Sequence, residues 1–127
     1  MSDLNFVSPF FIVANLQYSV DFYLNKLGFN LLYMGPEADP YFAMVGRGPV
    51  AIMLKGSGVP MPNHTRYNWA RFDAHIAAAD PDALFEEFLS AGVVFSKPIH
   101  DNSDGLRGFE LKDADGYMLF FGRPIVP

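Results

Sequence analysis

The sequence repeats itself, and this repeat limits the folds that the chain can adopt. When Gly92 is aligned with Gly28, the apolar residues Phe88 and Leu24 coincide. Both lie in segments whose apolar residues recur at the three- and four-residue spacing of a helix with one apolar face, and each segment ends at its glycine. Strand patterns follow both glycines. A duplicated module explains these matches better than chance does.

Each module has the order strand, helix, strand, strand, strand. The helices are predicted from Asn15 to Leu27 and from Asp80-Pro81 to the residue before Gly92, since Asn and Asp cap helix starts and Pro fits the first turn. The predicted strands are residues 6–13, 29–34, 41–45, 50–55, 69–78, 93–95, 106–111 and 117–121. We therefore expect one α+β domain over residues 1–127, with module one at about 4–57, a connector at about 58–66 and module two at about 67–127.

Composition narrows the class of protein. Half of the residues are apolar, which at this length allows one substantial core. The absence of cysteine excludes disulfides, thiolate metal sites and cysteine nucleophiles. A net charge of −5 with nine scattered basic residues argues against nucleic-acid binding. We expect no leader and no membrane span, because there is no charged n-region with an apolar h-region and no apolar run long enough to span a bilayer. We expect a soluble, cytoplasmic protein without nucleic-acid or membrane partners.

A second constraint is the turn that starts at Asp113 and ends at Gly116. Gly116 can adopt the left-handed conformation that closes a three-residue hairpin loop with a bulge. Such a loop pairs Asp113 with Tyr117 and places Glu110 beside Phe120 on one face of the sheet. A four-residue loop would reverse the faces. We prefer the bulge, because the alternative buries Glu110 against the helices without a partner.

Several motifs resemble those of the vicinal oxygen chelate superfamily, which includes glyoxalase I, extradiol dioxygenases and bleomycin resistance proteins. They are Val13-Ala14-Asn15-Leu16, Ser19-Val20-Asp21-Phe22-Tyr23, Leu27-Gly28-Phe29, Gly105-Leu106-Arg107-Gly108-Phe109 and Asp113-Ala114-Asp115-Gly116. The resemblance covers nearly the whole chain. It implies two βαβββ modules that form a cup-shaped mixed β-sheet with helices on the outer face. It also implies a homodimer, and leaves open whether modules pair within a chain or between chains.

The metal enzymes of this superfamily carry four ligands at set points of the fold. The resemblance puts these points at Ser8, Met53, Asp73 and Phe120, to within one residue at Asp73. Divalent metals of this type bind imidazole or carboxylate groups, so only Asp73 qualifies. His75, two residues along the same strand, adds a second donor, which is still too few. We expect no metal and no other cofactor.

The expected cup has a largely aromatic and thioether lining, extended from these points by strand alternation. The candidate ligand-binding residues are Ser8, Phe10, Met53, Trp69, Asp73, His75, Glu110, Met118 and Phe120. Aromatic rings would stack on a flat ligand, and the carboxylates of Asp73 and Glu110 would favour positive charge.

Three functions compete. The leading hypothesis is a metal-independent protein that sequesters an aromatic or cationic small molecule. The resemblance to bleomycin resistance proteins implies this function, and with it a role in antibiotic resistance. The second is a lyase, isomerase or dioxygenase-like enzyme with a non-standard site, either metal-free or with a displaced metal at Asp73, His75 and Glu110. The third is an interaction module whose cup is filled by its own side chains.

Overall fold

A computed structural model describes residues 2–125 and contains two helices and eight strands. The helices are α1 (Leu16–Leu27) and α2 (Pro81–Ser90). The strands are β1 (Phe10–Ile12), β2 (Asn30–Gly35), β3 (Phe42–Arg47), β4 (Val50–Lys55), β5 (Ala74–Ala77), β6 (Phe95–Asp101), β7 (Leu106–Lys112) and β8 (Met118–Pro124). No helix within these residues is long and apolar enough to cross a membrane.

The strands form two four-stranded mixed sheets with equivalent topology. Sheet one has the order β1-β4-β3-β2 and sheet two the order β5-β8-β7-β6. In each sheet the first strand of the module runs parallel to the last, and the remaining neighbours are antiparallel. The predicted α+β class with two βαβββ modules is confirmed.

The helix ends follow from local chemistry. The side chain of Asn15 accepts a hydrogen bond from the backbone N–H of Tyr18, and Asp80 accepts one from the N–H of Ala83. These caps satisfy N–H groups that have no partner within the helix. Gly28, with φ of 69°, closes α1 in the left-handed region, where glycine is favoured.

The strand boundaries differ most from the prediction in β1, β5 and β6. β1 is shorter and starts at Phe10, after Pro9, which has no N–H to donate. β6 extends through Pro98 to Asp101, because it is an edge strand and its register is irregular between Lys97 and His100. β5 starts only at Ala74, because the preceding residues turn back through a bridge between Tyr67 and Ala70.

Both sheets pack their helix-covered faces into one common core. Phe11 of sheet one stacks on Tyr117, just before β8, with ring centroids 4.1 Å apart. Arg47 at the end of β3 donates to Glu87 of α2, and Lys26 of α1 donates to the carbonyl of Ala91. The opposite face of each sheet, called here the open face, therefore lies on the outside of the chain.

The hairpin between β7 and β8 supplies a buried polar junction between the modules. Asp113 pairs with Tyr117 as predicted, and its carboxylate accepts hydrogen bonds from the N–H groups of Asp115 and Tyr117. Its other oxygen accepts a hydrogen bond from the hydroxyl of Tyr23 in α1 at 2.5 Å, and Asp115 accepts one from the hydroxyl of Ser19. Burial raises the pKa of Asp113 to about 6 and the pKa of Tyr23 above its usual value.

This junction predicts a specific pH dependence of stability. Because the folded chain holds the Asp113 proton more tightly than the unfolded chain, the stability contributed by this group is greatest at low pH and falls as pH rises from about 4 to 6. The fall is at most about 3 kcal/mol. Asp113→Asn cannot titrate, so its stability relative to the parent should rise over this window in urea unfolding.

Asp39→Asn removes a carboxylate from an exposed segment and controls for the change in net charge. If the parent and Asp113→Asn unfold with the same difference in free energy at every pH, the buried carboxylate does not carry this linkage.

Candidate functional site

The open face of sheet one is a row of aromatic and methionine side chains. Strand register aligns Phe10 with Met53, Met53 with Met44, and Met44 with Tyr33. Phe10 is 56% exposed and Tyr33 55% exposed. Neighbouring strands thus hold apolar side chains at the surface, where they are available for a partner or ligand.

A groove of about 410 Å³ runs along this face. Phe10 and Phe42 stack there with ring centroids 6.1 Å apart, and the ammonium group of Lys55 lies 4.8 Å from the centre of the Tyr41 ring. Ser8 has a structural contact instead, since its hydroxyl donates to the carbonyl oxygen of Ala51.

The open face of sheet two has a different central row of side chains, called here its floor. Register aligns His75 with Phe120, Phe120 with Glu110, and Glu110 with Lys97. The Phe120 ring lies over Gly122 and Gly108, where an added Cβ would be 2.6 Å from the ring carbon Cζ. Only glycine leaves room for this ring.

Residues 66–73, here called the cap segment, cover that floor. The Phe72 ring lies 4.7 Å from the Phe120 ring between centroids, and exposed His75 lies 5.0 Å from it. Phe120 and Met118 are consequently buried. Neither side chain is therefore an exposed wall in the unliganded chain, and their contact with a ligand stays a prediction.

Both predicted acidic groups are already neutralised by arginines of the cap segment. Asp73 accepts from Arg66 at 2.8 Å and from the backbone N–H groups of Asn63 and Met118. Glu110 accepts from Nε of Arg71 at 2.7 Å. These ion pairs use the carboxylates within the protein, and their attraction of a cationic ligand stays a prediction. Asp73 anchors the cap segment, and Glu110 holds Arg71.

A cavity of about 240 Å³ remains between the cap segment and the β6–β7 hairpin. Trp69, 78% exposed, stands at this cavity with its ring stacked on Tyr67 at 5.1 Å between centroids. The lining residues are Asn68, Trp69, Arg71, Phe72, Lys97, His100, Asn102, Ser103, Asp104 and Glu110.

The side chains present do not fit a metal site of the kind that the resemblance suggested. Ser8, Met53 and Phe120 offer no imidazole or carboxylate, and Asp73 is committed to Arg66. The displaced site at Asp73, His75 and Glu110 is equally unsuitable, because both carboxylates are bound to arginine. Within residues 2–125, no three His, Cys, Asp or Glu side chains are grouped so that they could hold a metal ion.

The architecture is that of two βαβββ modules whose sheets each leave one face uncovered by helices. A model of the Glyoxalase/Bleomycin resistance protein/Dioxygenase superfamily matches residues 5–121. The chain belongs to this superfamily. Comparison with curated proteins gives no match.

Solved structures show the same fold. The bleomycin-binding protein from Streptomyces verticillus, solved with copper(II)-bleomycin, is 24% identical, with a TM-score of 0.70 over 95% of this chain and 97% of that one. TioX from Micromonospora sp. ML1 is 22% identical, with a TM-score of 0.71 over 93% and 95%. A superfamily member from Sphaerobacter thermophilus is 25% identical, with a TM-score of 0.65 over 94% and 97%.

Sequence reasoning missed several residues that shape the two faces. They are Tyr33, Phe42, Arg71, Phe72 and Lys97. Tyr33 and Phe42 were detectable as the alternate positions of two hairpin strands, although a bulge between Leu31 and Tyr33 shifts the register. The cap segment gives no such signal, because Trp69 and Phe72 lie within the longer strand predicted over residues 69–78.

The Arg71–Glu110 pair allows a stability test. Glu110 is 4% exposed, so Arg71→Ala leaves a buried carboxylate without its charged partner. We expect a loss of about 2–3 kcal/mol in the free energy of unfolding, measured by urea denaturation. Glu110→Gln in the Arg71→Ala background should recover part of this loss. The control is Arg123→Ala, since Arg123 is exposed and its one hydrogen bond among residues 2–125 is to the carbonyl oxygen of Pro124.

An equal effect of Arg71→Ala and Arg123→Ala would show that the pair has no such role.

Proposed function

We propose that this protein is a metal-independent small-molecule-binding protein that sequesters a planar aromatic ligand. The observation that carries the proposal is the aromatic surface on both open faces, with Phe10, Tyr33 and Phe42 on one and Trp69 and Phe72 on the other. Aromatic rings stack on flat ligands with little loss of side-chain freedom. The fold shared with a bleomycin-binding protein supports a binding role.

We propose further that the complete site forms in a homodimer. The two open faces of one chain lie outside a shared core, so they do not enclose a ligand between them. Pairing the open face of sheet one with the open face of sheet two of a second copy would cover the exposed aromatic row and create a cup with two walls. Modules would then pair between chains.

Ligand binding is testable through Trp69, the only tryptophan. Bleomycin and a set of flat aromatic compounds should include at least one that quenches Trp69 fluorescence and gives a micromolar dissociation constant by calorimetry. Phe10→Ala and Trp69→Ala should each weaken binding about three- to tenfold, the second measured by calorimetry alone.

Tyr18→Ala removes an equally exposed aromatic ring from α1, away from both open faces, and should leave binding unchanged. Failure of every aromatic compound to bind would overturn the proposed function.

The oligomeric state has its own test. Sedimentation equilibrium should give a mass twice that of one chain. Phe10→Asp and Tyr33→Asp place charges on the open face of sheet one and should shift the equilibrium toward monomer, whereas Tyr18→Asp should not. A monomeric parent protein at concentrations where ligand binds would contradict the two-chain cup.

A further inference from the structure

We propose that the aromatic ligand carries a carboxylate, which binds to Arg71 and Lys97 in the cavity under the cap segment. This inference rests on the proposed function and specifies the chemistry of its ligand. The proposed ligand is anionic, whereas the sequence predicted a cationic one. The reason for the change is that the acidic residues of this face, Asp73 and Glu110, are paired with arginines of the protein.

Arg71 is held in a position suited to binding an anion. Its Nε donates to Glu110, and Arg66 donates to its backbone carbonyl at 3.0 Å, so the side chain and backbone are both fixed. The side chain is 21% exposed and lines the cavity. Within residues 2–125, neither terminal nitrogen of Arg71 donates to another protein group. A carboxylate can accept from both of these nitrogens, the paired geometry that arginine favours.

Lys97 adds a second cation at the same cavity. It lies opposite Glu110 in the register of β6 and β7, yet no carboxylate lies within 4.0 Å of its ammonium group among the described residues. His100 lines the cavity too, and its Nδ1 lies 2.8 Å from the carbonyl oxygen of Pro98, which fixes the ring.

The acidic groups of the cavity do not cancel this preference. Arg71 and Glu110 balance each other in their ion pair, which leaves the charge of Lys97 uncompensated. Asp104 stands on the exposed turn between β6 and β7, where water screens its charge. Half-buried Arg71 and Lys97 therefore offer donors to a ligand, and Trp69 provides a ring beside them. An aromatic carboxylate matches this pairing of a flat apolar body with a planar anionic group.

Three anthraquinone compounds test the inference: the carboxylate, the neutral carboxamide and the cationic aminomethyl derivative. Calorimetry and Trp69 quenching on the full chain should give the tightest binding for the carboxylate, by about tenfold or more over the carboxamide. Lys97→Gln and Arg71→Lys should each remove most of this difference. Arg71→Lys keeps a cation for Glu110 but loses the planar fork, and Lys97→Gln leaves the buried pair intact.

Lys112→Gln is the matched control, because it removes an exposed lysine of the same sheet that does not line this cavity. It should leave the carboxylate preference unchanged. Binding of the carboxamide or the cation as tightly as the carboxylate would overturn this inference while leaving the proposed function intact. Binding of none of the three, nor of any other aromatic compound, would overturn both.

Discussion

The buried carboxylate of Asp113 is the interaction on which the arrangement of this molecule depends. It ties the β7–β8 hairpin of module two to α1 of module one through the hydroxyl of Tyr23, while two backbone N–H groups of its own turn complete its hydrogen bonds. A buried carboxylate is tolerated only where such donors surround it. The donors come from both modules, so the junction specifies how the helix-covered faces meet. The open faces are left outside as a consequence.

The helices, the strands and the β7–β8 hairpin could be predicted from the sequence because local residue preferences specify them. Asn15, Gly28 and Asp80 mark helix ends by their own hydrogen bonds and backbone preferences, and the hairpin at Gly116 follows from a single left-handed glycine. These features need no knowledge of distant residues. Register then follows from the hairpin, which is why the shared face of Glu110 and Phe120 could be derived from spacing alone.

The site was harder to predict because its chemistry comes from residues distant in sequence. Glu110 reads as an available carboxylate until Arg71, thirty-nine positions earlier, is placed against it. Phe120 reads as a pocket wall until the cap segment covers it. Side-chain alternation gives the face on which a residue lies, but not what packs on that face afterwards. Both differences between the predicted and the observed surroundings of these residues therefore have one cause, the return of residues 66–73 over sheet two.

The duplicated modules have consequently acquired different surfaces. Sheet one keeps an uncovered aromatic row, with Phe10 and Tyr33 more than half exposed, and offers mainly dispersion contacts beside the ammonium group of Lys55. On sheet two, Phe120 is buried. The guanidinium, ammonium and indole groups of Arg71, Lys97 and Trp69 line a smaller cavity there. Apolar contact supplies affinity with little directionality, whereas a few placed polar groups orient a ligand. A site built from both surfaces would therefore divide these roles, with sheet one contributing contact area and sheet two contributing selectivity.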